Sequence, residues 1–289
     1  MEQLLRVVGD DFRYVEPVYT GPELRTFPDG SIEGYWGERY KYAAFEGGKY
    51  LEACYLPFAN VDSVDELDRS HFPQATWFDY STIRQQCVKI LEHGYAICFG
   101  TAGDMDFINS IARARGTEKV LIDLITDDPV YLEIMEARFR FYYELHEQVL
   151  QAAGGLIDFT HIGEDLGTQT AQIIDFDTFE KHFAPKFRKY FEMVHGYGAR
   201  TMMHMCGCAR AFLTRLIEMG LDVYDVVQPT TPEGGLFLGP THALQVGTPM
   251  ENILALYRGA GSLLENIQDS IRDIQDDHTG DKINMSKLF

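Results

Sequence analysis

His204 and Cys206 stand two residues apart in Arg200-Thr201-Met202-Met203-His204-Met205-Cys206-Gly207-Cys208, a run with the character of a buried strand. An extended chain repeats every two residues, so the imidazole and the thiol point to one side, where the chain turns out through Gly207. Such borderline-soft ligands suit Zn²⁺ once a third ligand arrives from elsewhere. The plain alternative is a core strand whose His and Cys pack as other buried side chains do.

The elements that must position this pair follow a repeating order. Tyr95 to Gly100 is a short apolar run bounded by glycines, the pattern of a buried parallel strand, and it leads into the polar loop Thr101 to Asp106, where Asp104 is one of two acids. Helices are expected near 82–93, 107–114, 119–126, 129–152, 177–197 and 209–219, with strands at 155–162 and 223–229 between the later ones. Alternation of strand and helix is the signature of a parallel sheet, and such sheets gather ligands at the carboxyl ends of their strands. Three successive strand ends carry Glu164 and Asp165, then His204 and Cys206, then Gln228. A further apolar run from Leu236 ends in His242, a third candidate ligand that also fits a surface loop.

Outside this series the chain is less regular. Residues 1–60 have turn signals at Gly21-Pro22, Pro28-Asp29-Gly30 and Gly47-Gly48, and a hairpin is expected around Asp29-Gly30. Ser63 and Glu66 have capping-box spacing and predict a short helix before Pro73. Residues 276–289 form a polar tail.

Bulk properties exclude some partners. The 289 residues suffice for a sizeable core, and the net charge of −19 argues against nucleic acid and anionic membrane surfaces, which need clustered Lys and Arg. Five cysteines without a disulfide spacing, and no basic-then-apolar leader, point to the cytoplasm. No apolar run reaches the roughly 18 residues of a membrane span.

Several ordered motifs carry a family likeness. Ile162-Gly163-Glu164-Asp165-Leu166-Gly167-Thr168-Gln169, Val194 to Ala199 leading to His204-Met205-Cys206-Gly207, Val226-Val227-Gln228-Pro229, and Gly239-Pro240-Thr241-His242 followed by Pro249-Met250-Glu251-Asn252-Ile253 together resemble the uroporphyrinogen decarboxylase superfamily. That superfamily includes the decarboxylases of porphyrin synthesis and cobamide-dependent methyltransferases. The likeness implies an α/β, TIM-barrel-like (β/α)₈ domain over residues 1–275. The barrel is expected to be incomplete or open, because a leading βα segment and one late βα unit between Pro229 and Leu236 are missing from the pattern.

The methyltransferase branch implies Zn²⁺ on His204, Cys206 and His242, with His242 where that branch has Cys, and a corrinoid as methyl carrier. Catalytic roles then fall to Glu164, Asp165 and His242, and substrate contacts to Asp104, Gln169 and Gln228. A small-molecule substrate, a corrinoid protein and a second copy of the chain are the implied partners. The decarboxylase branch implies a metal-free enzyme, but its arginine-rich substrate segment has no counterpart here. A third reading is a shortened, inactive paralogue that binds a small molecule or partner.

Overall fold

The computed structural model describes residues 10–45, 48–168 and 170–225. Gln169, Gln228 and His242, together with the elements expected after residue 225, lie outside the described residues. The chain divides into a small unit (Met1–Phe12, Ala44–Lys49 and Leu238–Phe289) and a large one (Arg13–Ala43 and Tyr50–Phe237). All the elements discussed below for the site belong to the large unit.

The strands are β1 (Phe12–Tyr14), β2 (Val18–Tyr19), β3 (Ile32–Glu33), β4 (Arg39–Phe45), β5 (Gly48–Tyr55), β6 (Phe78–Asp79), β7 (Ala96–Gly100), β8 (Phe159–Gly163), β9 (Arg200–His204) and β10 (Val223–Asp225). The principal helices are α1 (Ile83–Leu91), α2 (Asn109–Arg115), α3 (Thr117–Thr126), α4 (Pro129–Ala153), α5 (Ala184–Gly196) and α6 (Arg210–Met219). One sheet has the order β1-β7-β8-β9-β10, and its pairs β7–β8, β8–β9 and β9–β10 are parallel. The fold is therefore mixed α/β with a five-stranded sheet. The smaller sheets pair β2 with β6 and order β3-β4-β5.

Local chemistry explains where the helices begin and end. Asp128 caps α4 by accepting the N–H groups of Val130 (2.9 Å) and Tyr131 (3.1 Å), Pro129 occupies the first turn, and Gly154 closes the helix at φ +62°. The helix expected over 177–197 is divided. A short turn at Phe176–Thr178 leads through a wide π-type turn, Phe179–Phe183, into α5. An aromatic stripe continues through that change, with Phe179, Phe183, Phe187 and Phe191 at steps of four and successive ring centroids 6.3 to 6.4 Å apart. All four are fully buried, and each contributes about 1.5 to 3 kcal/mol by leaving water.

Two local expectations are sharpened. The turn at Asp29-Gly30 forms, with Gly30 at φ +81°, the Phe27 N–H donating to the Ser31 carbonyl at 2.9 Å and Thr26 bridging Ile32. Ser63, however, makes no side-chain cap, and the helix after it is a single 3₁₀ turn, Val64–Glu66. Glu66 instead accepts the N–H of Asp62 at 3.1 Å. The Glu66 N–H that the Ser63 hydroxyl would accept donates to the Ser63 carbonyl at 3.2 Å, as the tighter turn requires.

The helices α2, α3 and α4 meet at a buried cation. Arg115, 1% exposed, donates to Asp123 at 2.5 Å, to Asp128 at 3.2 Å and to the carbonyls of Phe58 (3.0 Å) and Val61 (2.8 Å). Its removal strands the buried Asp123 carboxylate and two carbonyls and takes a partner from the half-buried Asp128. Arg115→Met should accordingly lower the stability of the folded state by about 3 to 5 kcal/mol, read as a shift in the urea unfolding midpoint at unchanged slope.

Candidate functional site

The parallel registers bring three strand ends into one row. His204 pairs with Gly163 on β8 and with Asp225 on β10. Side chains alternate along each strand, so His161 on β8 and Met202 on β9 share the face of His204 and Asp225. The strands are short, and β9 is buried over Thr201–Met203, so only its last residue reaches a mouth.

His204 uses both ring nitrogens there. Nδ1 lies 3.0 Å from Asp225 Oδ2 and Nε2 lies 3.2 Å from Cys206 Sγ. The Asp225 carboxylate accepts only, so the proton belongs on Nδ1 and the Nε2 lone pair faces the thiol. Asp165 completes this side: its Oδ1 accepts the Cys206 N–H at 2.7 Å and its Oδ2 accepts from the Asn109 amide at 3.1 Å. Ligand atoms of Asp165, His204 and Cys206 all lie within 4.8 Å of one another. On the other side, ligand atoms of His161, His204 and Asp225 satisfy the same limit.

Close backbone packing holds the Cys206 loop. Gly207 has φ +81°, and a Cβ built on it would meet the carbonyl oxygen of Gly167 at 2.3 Å. A Cβ on Gly167 would in turn meet Cys208 N at 2.4 Å, and that N–H donates to the Thr168 carbonyl at 2.7 Å. Only glycines let the loops after β8 and β9 approach so closely.

The electrostatics are those of an acidic site. The hydrogen bond that His204 donates to Asp225 raises the pKa of His204. Burial pushes the Cys206 thiol up to about 11, with Asp165 adding to the shift, so the metal-free sulfur stays protonated at neutral pH. Burial works upward on Asp225 as well, but His161 and His204 outweigh it and hold that carboxyl well below the usual range.

The expected site residues separate into distinct roles. Asp165, His204 and Cys206 come together. Glu164, beside Asp165, has partners of its own: it is 1% exposed and its carboxylate accepts the N–H groups of Phe107 (2.7 Å) and Ile108 (3.3 Å) ahead of α2. Burial, and then Asp106, raise its pKa well above normal. This placement makes Glu164 an anchor for the loop after β7. Asp104 accepts from Thr101 at 3.0 Å and lies 3.0 Å from His146 Nε2, while His146 Nδ1 lies 2.8 Å from Tyr190 Oη. His146 and Tyr190 are fully buried, so Asp104 is the outward end of a three-residue chain.

Sequence reasoning passed over Asp225, His161, His146 and Tyr190. Asp225 and His161 carried a signal, since each is polar at or near a strand end; His146 and Tyr190 sit on helical faces indistinguishable from core.

No family model matches the chain, and no characterised protein matches its sequence. The superfamily resemblance thus rests on the motif residues quoted above. No helix among the described residues is long and apolar enough to cross a membrane. Two clefts of about 300 and 370 Å³, lined respectively by residues including Tyr19 and His71 and by residues including Phe72 and Arg140, contain none of the strand-end residues.

Glu164→Ala would leave the two amides ahead of α2 without their acceptor. It should cost about 3 kcal/mol, measured by chemical denaturation, and Glu164→Gln, which retains one acceptor oxygen, should cost less.

Proposed function

We propose that this chain is a zinc-dependent enzyme of thiol and methyl-group chemistry, built on a barrel of the uroporphyrinogen decarboxylase type with a corrinoid as methyl carrier. The observation that carries the reading is the convergence of Asp165, His204 and Cys206, with all ligand atoms within 4.8 Å of one another at the ends of β8 and β9. Carboxylate, imidazole and thiol form a donor set suited to zinc, and three protein ligands leave one position for a substrate. His242, implied as a ligand by the resemblance, lies outside the described residues.

The surrounding groups fit a cation. Asp225 accepts from His204 Nδ1 and fixes the tautomer that directs Nε2 toward the metal position, the support that metal-bound histidines commonly have. Asn109 and the Cys206 N–H hold the plane of the Asp165 carboxylate. The acids that raise the Cys206 thiol pKa in the metal-free state favour a divalent ion in their midst.

When bound, Zn²⁺ supplies a Lewis acid that keeps a thiol deprotonated at neutral pH. The chain's own part is to orient and to shield. Asp104, held by Thr101 and His146, is the carboxylate to which the resemblance assigns a substrate contact. The same acidity disfavours the metal-free decarboxylase reading, because an octa-acid substrate needs cations. Arg138, close to this loop, spends its guanidinium on the carbonyls of Asp106 (2.9 Å) and Gly103 (3.2 Å).

Elemental analysis of the purified full chain should find one zinc per chain, and Cys206→Ser or His204→Ala should weaken zinc binding by at least about tenfold. With methylcobalamin and a small thiol, the zinc-loaded protein should yield the methyl thioether and the demethylated corrinoid. Zinc-free protein whose metal content and turnover are indifferent to Cys206→Ser would reject the proposal.

A further inference from the structure

His161 is the unexplained member of the strand-end row. Its side chain is 12% exposed, yet Nε2 itself is buried and has no hydrogen-bond partner among the described residues. Asp225 Oδ2 lies 3.5 Å away, beyond the range of a good hydrogen bond. A buried polar atom left this way costs on the order of 1 to 3 kcal/mol unless something else satisfies it.

The same carboxylate oxygen is 3.0 Å from His204 Nδ1, and the two imidazole rings are tilted by 64° with centroids 6.5 Å apart. One ring nitrogen from each histidine and one carboxylate oxygen thus lie within 4.8 Å of one another. Ligands at zinc-like bond lengths in a tetrahedral arrangement lie roughly 3.3 to 3.5 Å from each other. The His161–Asp225 separation already has that value, and the His204–Asp225 separation is a few tenths of an ångström short of it.

We propose that His161, His204 and Asp225 form a second position for a divalent transition-metal ion, a two-histidine, one-carboxylate site that excludes the thiol. It goes beyond the thiol-containing site, since it needs neither Cys206 nor Asp165. The two positions share one ring. A neutral imidazole has a single lone pair, so binding at Nδ1 requires the ring proton to move to Nε2, and one ion occupies one position or the other. The donors differ in softness: the Cys206 side favours zinc, and the His161 side suits harder ions, such as Fe²⁺ or Mn²⁺, as well as Co²⁺. The second position has no thiolate and leaves coordination sites open for oxygen ligands.

Cobalt(II) is the probe, because a bound thiolate adds a near-ultraviolet charge-transfer band that imidazole and carboxylate do not. In the full chain, Cys206→Ser should abolish that band yet still retain one Co²⁺ per chain on equilibrium dialysis, with visible d–d bands. Adding His161→Gln to Cys206→Ser should weaken retention by at least about tenfold, whereas His161→Gln alone should leave the thiolate band in place. If the His161→Gln chain lacks the native circular dichroism, Asp225→Asn in the Cys206→Ser background provides the same comparison. Loss of all cobalt binding in Cys206→Ser, or undiminished binding in the folded double variant, would overturn the second position. A wild-type chain that binds cobalt with no thiolate band, with binding dependent on His161, would support the second position and reject the Cys206-side reading.

Discussion

The parallel pairing of β8 with β9 is the constraint on which the site depends. Its register runs over five residue pairs, from Phe159 opposite Arg200 to Gly163 opposite His204. A slip of one residue would send His204 to the other face of the sheet, toward residues that are now buried. It would also break the placement of Asp225, because β10 takes its register from β9, with Asp225 opposite His204. The glycine opposite His204 matters in the same way. A Cβ on Gly163 would meet the Ala102 carbonyl oxygen at 2.2 Å, so the loops after β7 and β8 close on each other only because that side chain is missing.

Packing behind the sheet serves this register. The aromatic stripe from Phe179 to Phe191 and the long α4 place Tyr190 and His146 so that their polar atoms meet each other, and His146 then reaches Asp104. Gly100 gives the ring room: at φ +95° it carries no Cβ, and one built there would lie 2.6 Å from His146 Cε1. A fully buried imidazole with partners at both nitrogens stiffens the loop after β7, the same loop that Glu164 grips from β8 through two backbone amides. Two buried polar contacts from different elements therefore hold one loop at the mouth.

Much of this was legible in the chain. A glycine-bounded apolar run located β7, the buried run from Arg200 located β9, the helix expected over 129–152 matches α4, and the two-residue period put His204 and Cys206 on one side. Glu164 and Asp165 differ in what they grip: Glu164 holds the amides of Phe107 and Ile108, and Asp165 holds the Cys206 N–H and the Asn109 amide. Asp225 was harder, because its partnership with His204 exists only once β9 and β10 are in register. His146 and Tyr190 were not legible, since each follows the spacing of its own helix's buried face and their contact joins residues 44 positions apart. The wide turn at Phe179–Phe183 inside the helix expected over 177–197 leaves no mark in the pattern, since the aromatic stripe keeps its step of four through it.

The two nitrogens of His204 give the site its logic. In the metal-free chain the carboxylate of Asp225 holds the Nδ1 proton, and that bond biases the ring toward offering Nε2 to Cys206 and Asp165. Asp225 is in turn pulled from the side by His161, which stands at ion-pair distance without a hydrogen bond. Any change that draws the Asp225 carboxylate toward His161 weakens its hold on Nδ1 and frees the ring to offer its other lone pair. Conversely, a soft ion on the Cys206 side makes Nδ1–H a stronger donor and tightens the bond to Asp225. The three strand ends therefore form one coupled unit, in which the position of a single carboxylate decides which face of one imidazole is available to a cation.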